Sequence, residues 1–283
     1  MRTQLVLLGV LVSVLVGSSA RAAEREIRLA TSATVQDSGL LNALLPEFTK
    51  DTGVKVRVIA VSPAAALRLA AEGGADVVLA DAPAAEDALV KSRTVLLRKP
   101  LLEDYFLIAG PASDPARVRE AASGADAIRR IAAAKAPYLS LGGDTAAHTR
   151  EHALMKSAGL DPAKGWPGSS HADASSSETL RLAGEKKAYT LTDIGAFMSA
   201  REGSRLERLT KASDDLRNVY SLLPVNPEKF PGKIRGEAAG AFVEWCLRST
   251  TSVRIAEFGV EKWGEPYFHP LNIDSDDSAP RRR

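Results

Sequence analysis

The chain alternates between two hydrophobic periods. Glu26–Ala30 (EIRLA) and Val54–Val61 (VKVRVIAV) carry apolar residues at every second position or nearly so, the pattern of strands with a face in a core. Between them Leu40, Leu41, Leu44, Leu45 and Phe48 recur at helical spacing, and Gly53 follows as a C-cap. Pro46 falls inside that stretch and predicts a kink or a late start. A helix over Ala64–Gly74, a buried strand over Ala75–Ala80 and a helix opened by Pro83 come next. Strand and helix in strict alternation predict a mainly parallel sheet with helices on both faces. Ligands in such sheets sit at the carboxyl ends of the strands, which here are the loops Thr31–Asp37, Ser62–Ala65 and Asp81–Pro83.

A second set starts near Asp104. Tyr105–Pro111 is strand-like, Ala125–Ala134 helical, Pro137–Leu141 a strand, and Thr145–Ala158 a helix closed by Gly159. A Gly/Ser-rich loop with Trp166 leads to a helix over Ser177–Lys187, a strand over Ala188–Thr192 and a helix from Asp193. Asn218–Asn226 is a further strand, followed by helices over Gly232–Arg248 and Thr251–Phe258. No internal repeat is present. Crossings at Glu103–Gly110 and Asn218–Asn226 would divide the chain into lobe I (24–103), lobe II (104–225) and a return segment of lobe I (226–270). The acidic, Arg-ended tail 271–283 is expected to be disordered.

The first residues carry a different signal. Arg2 precedes an apolar run over Leu5–Val16, and Ala20-Arg21-Ala22 fits a small-residue cleavage site. The run is short for a membrane span, so residues 1–22 are expected to be a cleaved signal peptide. No cysteine adjoins the run, so no lipid anchor is expected, and the mature chain of about 260 residues should be exported to the periplasm. The formal charge of +2 falls to about zero once Arg2 and Arg21 are removed, which argues against nucleic acid or an anionic membrane as partner. The one cysteine, Cys246, lies in an apolar helical run and reads as a small core residue.

Several stretches carry chemistry. The run Ala30–Gly39 (ATSATVQDSG) places Thr31, Ser32 and Thr34 between a strand end and a helix start, where free N–H groups and the helix dipole favour an anion. An ordinary helix cap has the same letters, and Asp37 and Ser38 read better as caps of the next helix. Ser62 offers one hydroxyl beside Pro63, and Thr145 opens a helix with both Oγ and N–H. Thr190 or Thr192 would end a strand at the cleft or lie in the core. His148 and His152 stand four apart, a spacing that suits a metal, but an exposed helical pair explains it as well, and His171 and Asp173 join only if their loop folds back. There is no nucleophile elbow, phosphate loop or dinucleotide fingerprint, so an enzyme is not expected.

TSATVQDSGLL, GVKVRVIAV, ADVVLADAPAAED, KAPYLSLGGDTAAHTRE, ETLRLAGEKKAYTLTDIGAF, VNPEKFPG and FGVEKWGEPYFHP occur in order from Thr31 to Pro270. Together they resemble the tungstate-binding proteins of ABC-type importers. That resemblance implies an α/β, two-lobed periplasmic-binding-protein-like (type II) fold, monomeric, that takes a tetrahedral oxyanion such as tungstate or molybdate between its lobes. Its partner would be a membrane permease. It implies no chemistry on the ligand and no metal or organic cofactor. Matched to the family loops, the oxyanion contacts would be Thr31, Ser32, Thr34, Ser62, Thr145 and Thr190. Ala33, Val35, Pro63, Ala64 and Ala146 depart from the family pattern, and Leu141 and Ile194 stand where arginines are usual. An arginine contact to an anion is worth about 1.5–3 kcal/mol per hydrogen bond, so a specificity changed from tungstate is expected. Arg68, Arg150 and Arg181 are the nearby cations in sequence. The other reading is a transport-inactive accessory protein that keeps the fold and acts through protein–protein contacts in the periplasm.

Overall fold

The computed structural model describes residues 26–143 and 145–272. The signal peptide expected at 1–22 falls outside the described residues, as does the tail from 273 onward. The elements in chain order are β1 (Glu26–Ser32), α1 (Ala33–Ser38), α2 (Leu40–Thr52), β2 (Lys55–Val61), α3 (Pro63–Ala71), β3 (Val77–Ala80), α4 (Pro83–Lys91) and β4 (Lys99–Gly110). Next come α5 (Gly124–Ala133), β5 (Tyr138–Ser140), α6 (Ala146–Ser157), β6 (Ser169–His171), α7 (Ser176–Glu185), β7 (Thr190–Asp193), α8 (Ile194–Ser204) and β8 (Glu207–Arg208). The last are β9 (Arg217–Pro224), α9 (Gly236–Cys246), α10 (Ser249–Glu257), α11 (Val260–Trp263) and β10 (His269–Pro270). Two compact units result. The first holds the described residues of 26–61, 65–99 and 222–251, and the second 62–64, 100–221 and the residues from 252.

In the first unit β1 is the centre of a parallel arrangement. Thr31 stands opposite Ala60 of β2 on one side and Leu79 of β3 on the other. One core cluster is lined by Ala30, Ala66, Leu67, Ala70, Val78, Leu223 and Val225. On α2 the residues Leu40, Leu41, Leu44 and Phe48 are buried, and Phe48 sets its edge against Phe242 and Trp245 of α9, with ring centroids 5.1 and 5.6 Å apart. The Trp245 indole N–H donates to the Asp51 carboxylate at 2.8 Å. Cys246 is buried beside this cluster, and burial pushes its thiol pKa up, the setting of an inert core thiol.

Two details differ from the sequence pattern. The expected loop Thr31–Asp37 is largely a short helix, α1, because Ser32 caps it and Gly39 ends it in the left-handed region (φ 85°). The same Gly39 is the N-cap of α2, so that helix begins at Leu40 and runs through Pro46 without a late start.

Asp76 is the polar centre of this unit. Its side chain has no solvent exposure, and its carboxylate accepts from the Arg28 backbone N–H (2.7 Å), Nε (3.0 Å) and Nη2 (3.0 Å). The Arg235 backbone N–H donates to it as well, at 3.0 Å. Burial raises the carboxyl pKa, but the Arg28 side-chain bonds, the Arg235 and Arg28 backbone bonds and the Arg28 charge together outweigh burial and hold it below the usual value. The Asp76 backbone ties in the same segments, donating to Arg28 O at 2.9 Å and accepting from Val225 N at 3.0 Å.

In the second unit β4 pairs antiparallel with β7, β8 and β10, whereas β5 and β6 form a separate two-stranded parallel sheet. Its core gathers Phe106, Ile108, Ile128, Tyr138, Leu154, Trp166 and Tyr189. The buried Tyr189 hydroxyl donates to Asp114 Oδ1 at 3.0 Å and accepts from Ala116 N at 2.9 Å. Burial first, then the Asp114 carboxylate, pushes its pKa up to about 12. Helix α7 meets the end of α8 so closely that a Cβ on Gly184 would stand 1.8 Å from Ser204 O.

Two outcomes follow from these contacts. Asp76→Asn leaves Arg28 without its anion and should lower unfolding free energy by about 3 kcal/mol, read as a lower urea midpoint near neutral pH. The folded carboxyl titrates below its unfolded value of about 4, so its stabilisation is complete above that pH and is lost as pH falls through the folded value. The difference between wild type and Asp76→Asn should therefore shrink on acidification. Gly184→Ala should cost about 1–3 kcal/mol through overpacking, seen as a lower melting temperature.

Candidate functional site

The hydroxyls of the first unit are mostly used by the fold itself. Thr31 is fully buried and donates to Leu79 O of β3 at 2.9 Å, tying two neighbouring strands together. Ser32 caps α1, its Oγ accepting from Val35 N at 3.3 Å. Thr34 is half-buried in the first turn of α1, and Val35 is buried. Ser38 donates to Val35 O at 2.7 Å and accepts from Leu40 N at 3.2 Å, the helix-capping use expected of it. Asp37 is exposed.

In the second unit Thr145 is the N-cap of α6. Its Oγ accepts from His148 N at 3.1 Å and donates to Gly142 O at 3.3 Å. Gly142 and Gly143 both take left-handed backbone (φ 71° and 70°), which bends the chain from β5 toward the helix start. Leu141 is buried and packs in the core with Tyr138 and Leu154. Ile194, the first residue of α8, is buried too, and Asp193 caps that helix by accepting from Ala196 N at 2.8 Å. Ser62 is half-buried and immediately precedes α3, whose first residue, Pro63, has no N–H to offer.

Thr190 has no solvent exposure and pairs with Ala109 of β4, while Thr192 pairs with Leu107. Alternation along β7 puts both hydroxyls on the face opposite Leu191. Neither hydroxyl has a hydrogen-bond partner among the described residues. A buried hydroxyl left so costs about 1–3 kcal/mol, which marks this face as one that retains unspent donors.

Of the three arginines close by in sequence, two are engaged by the fold and one is exposed. Arg150 donates to Asp215 O and Arg217 O and lies over the Phe106 ring, Arg181 is bound to Glu178 and Glu185, and the exposed Arg68 stands 3.9 Å from Glu72.

The histidines present a different arrangement. His148 and His152 lie on one side of α6 with ring centroids 4.1 Å apart. Strand β6 pairs with β5 so that His171 is opposite Ser140, which brings its ring to 6.3 Å from His148. The three rings line a cavity of about 450 Å³ together with Gly142, Gly143 and Asp173. Burial, and then the charge on His171, lowers the His148 pKa. Burial and then His148 lower that of His152. Beneath them the buried Glu151 accepts from the Tyr138 hydroxyl at 2.8 Å, and burial raises its pKa. The sequence signal for this grouping was the i, i+4 spacing, with His171 and Asp173 joining only if their loop folds back; the return of the loop after Trp166 brings both to the cavity.

No helix among the described residues is long and apolar enough to cross a membrane. A PBP superfamily domain matches residues 17–250. The tungstate-binding protein TupA of Peptoclostridium acidaminophilum is 37% identical over 250 residues, covering 88% of this chain and 86% of that protein. Among solved structures, the tungstate-binding protein TupA of Desulfovibrio alaskensis superposes with a TM-score of 0.80 at 32% identity, covering 87% of this chain and 98% of that one. The tungstate ABC transporter structure from Geobacter sulfurreducens gives a TM-score of 0.72 at 34% identity over 83% of this chain and 99% of its own. The chain belongs to the PBP superfamily and, within it, to the family of the TupA proteins.

Proposed function

We propose that this protein is a periplasmic solute-binding protein that takes a small oxyanion and delivers it to a membrane permease of an ABC importer, with no chemistry on the ligand. The observation that carries this reading is the match to tungstate-binding TupA over 88% of the chain at 37% identity. Two sets of donors support it, each within its own unit. In the first, Ser32 and Thr34 lie at the start of α1, the end of a helix that favours an anion. In the second, Thr145 opens α6 and Thr190 holds a buried hydroxyl without a partner. Thr31 is the weakest of the expected contacts, because its proton is already given to Leu79 O.

The ligand preference proposed is different from that of a tungstate protein. Leu141 is packed in a core instead of offering a guanidinium, and Ile194 is likewise buried. Each lost charge-assisted bond is worth about 1.5–3 kcal/mol, or roughly tenfold or more in affinity. The same replacements favour, as a second reading, an accessory role through protein–protein contacts.

A calorimetric and thermal-shift panel of tungstate, molybdate, sulfate and phosphate tests this. One anion should bind with one-to-one stoichiometry and raise the melting temperature by several degrees at a hundredfold excess over its dissociation constant, where the stabilisation is about 2.7 kcal/mol. Tungstate should not be the tightest. Strong preference for tungstate would refute the altered specificity, and silence with every anion would leave the accessory role. Thr145→Ala should weaken the bound anion about fivefold or more while lowering stability by about 1 kcal/mol through loss of the cap. Thr145→Ser should keep both.

A further inference from the structure

The three-histidine cavity of the second unit meets the fold's own hydrogen bonding at His148, whose Nδ1 lies 3.4 Å from the Ser140 hydroxyl, and its chemistry is that of a borderline cation. Imidazoles are the preferred ligands of zinc, nickel and copper ions, and two histidines four apart on a helix share one face. With metal–nitrogen bonds of about 2.1 Å and tetrahedral angles, two imidazole centroids on one ion are about 5 Å apart. The observed separations, 4.1 Å for His148–His152 and 6.3 Å for His148–His171, bracket that value. The three rings therefore meet one ion only after their side chains re-orient. Among the described residues no group of three His, Cys, Asp or Glu is placed so that it could hold a metal ion as it stands. The helical pair is therefore the anchor and the third ring the closing ligand.

We propose that His148 and His152 chelate a divalent transition cation of the zinc, nickel or copper class at this cavity, with His171 as third ligand and water completing the shell. The cavity supports this in three ways. Its volume of about 450 Å³ leaves room for an ion with its waters. Gly142 and Gly143 place no side chain beside the rings, and a Cβ on Gly143 would meet nothing within 4 Å. Asp173 also lines the cavity, an exposed carboxylate that adds negative charge near the ion. The buried Glu151, bonded to Tyr138, belongs to the support beneath the rings and is not a ligand.

The test uses untagged full-length mature protein treated with EDTA and dialysed, titrated with zinc, nickel and copper chlorides by calorimetry, with cobalt(II) visible absorption as a coordination signature. One ion per chain at micromolar affinity is expected. His152→Ala should weaken it at least tenfold and remove the cobalt bands, and His171→Ala should weaken it several-fold while leaving a two-nitrogen spectrum. Circular dichroism and melting of both variants, each substituted away from the core, check that they remain folded. Equal affinity in wild type and His152→Ala, or no binding to folded wild type, overturns the proposal. Binding unaffected by His171→Ala overturns the third ligand alone.

Discussion

The first unit depends on one buried carboxylate. Asp76 joins three segments distant in sequence: β1 through Arg28, β3 through its own place in the chain, and the returning segment through Arg235 and the Val225 backbone. Removing a carboxylate from water is costly, and only this density of donors offsets it. Such an arrangement adds less to net stability than to uniqueness, since any slip of β3 against β1 would separate the charge from its fork of donors. The apolar residues around it are less selective. Ala30, Ala66 and Val78 would tolerate a shifted register far better than Asp76 does.

Much of the fold was legible because its elements obey a simple period. Alternation over Val54–Val61 gave β2, and the leucines after Gly39 gave the buried side of α2. What escaped was set by local hydrogen bonds. Helix α1 is six residues long, too short for a hydrophobic stripe, and exists because a serine caps one end and a glycine closes the other. Strand β6 is Ser-Ser-His, with no apolar alternation; its pairing with β5 supplies the order that its side chains do not. Asp76 itself gave no signal of its role, because it fell inside the run Ala75–Ala80 expected to be a buried strand, and nothing in the sequence pairs it with Arg28 or Arg235.

The candidate site was legible as a set of hydroxyl positions but not in the use made of them. Thr31, Ser32 and Thr145 all carry hydroxyls that the backbone already engages, and a sequence cannot distinguish a capping oxygen from a ligating one. Thr190 and Thr192 are the opposite case, since they lie in a plain strand pattern yet keep hydroxyls that no neighbouring group satisfies. Leu141 was legible as a departure, and its burial adds that the surrounding core has been filled to match.

The bond between Tyr138 and Glu151 has a mechanical meaning. A phenol on β5 and a carboxylate on the inner side of α6, both shielded from water, act as a key in a slot: the helix cannot turn about its own axis without separating them. Every residue on the outer side of α6 inherits a fixed azimuth from that inner pair. The imidazoles of His148, three residues before Glu151, and His152, one residue after it, both lie to the same side of that carboxylate round the helix, so they are aimed by a contact they do not make, and their mutual orientation is part of the helix's seating instead of an accident of surface side chains.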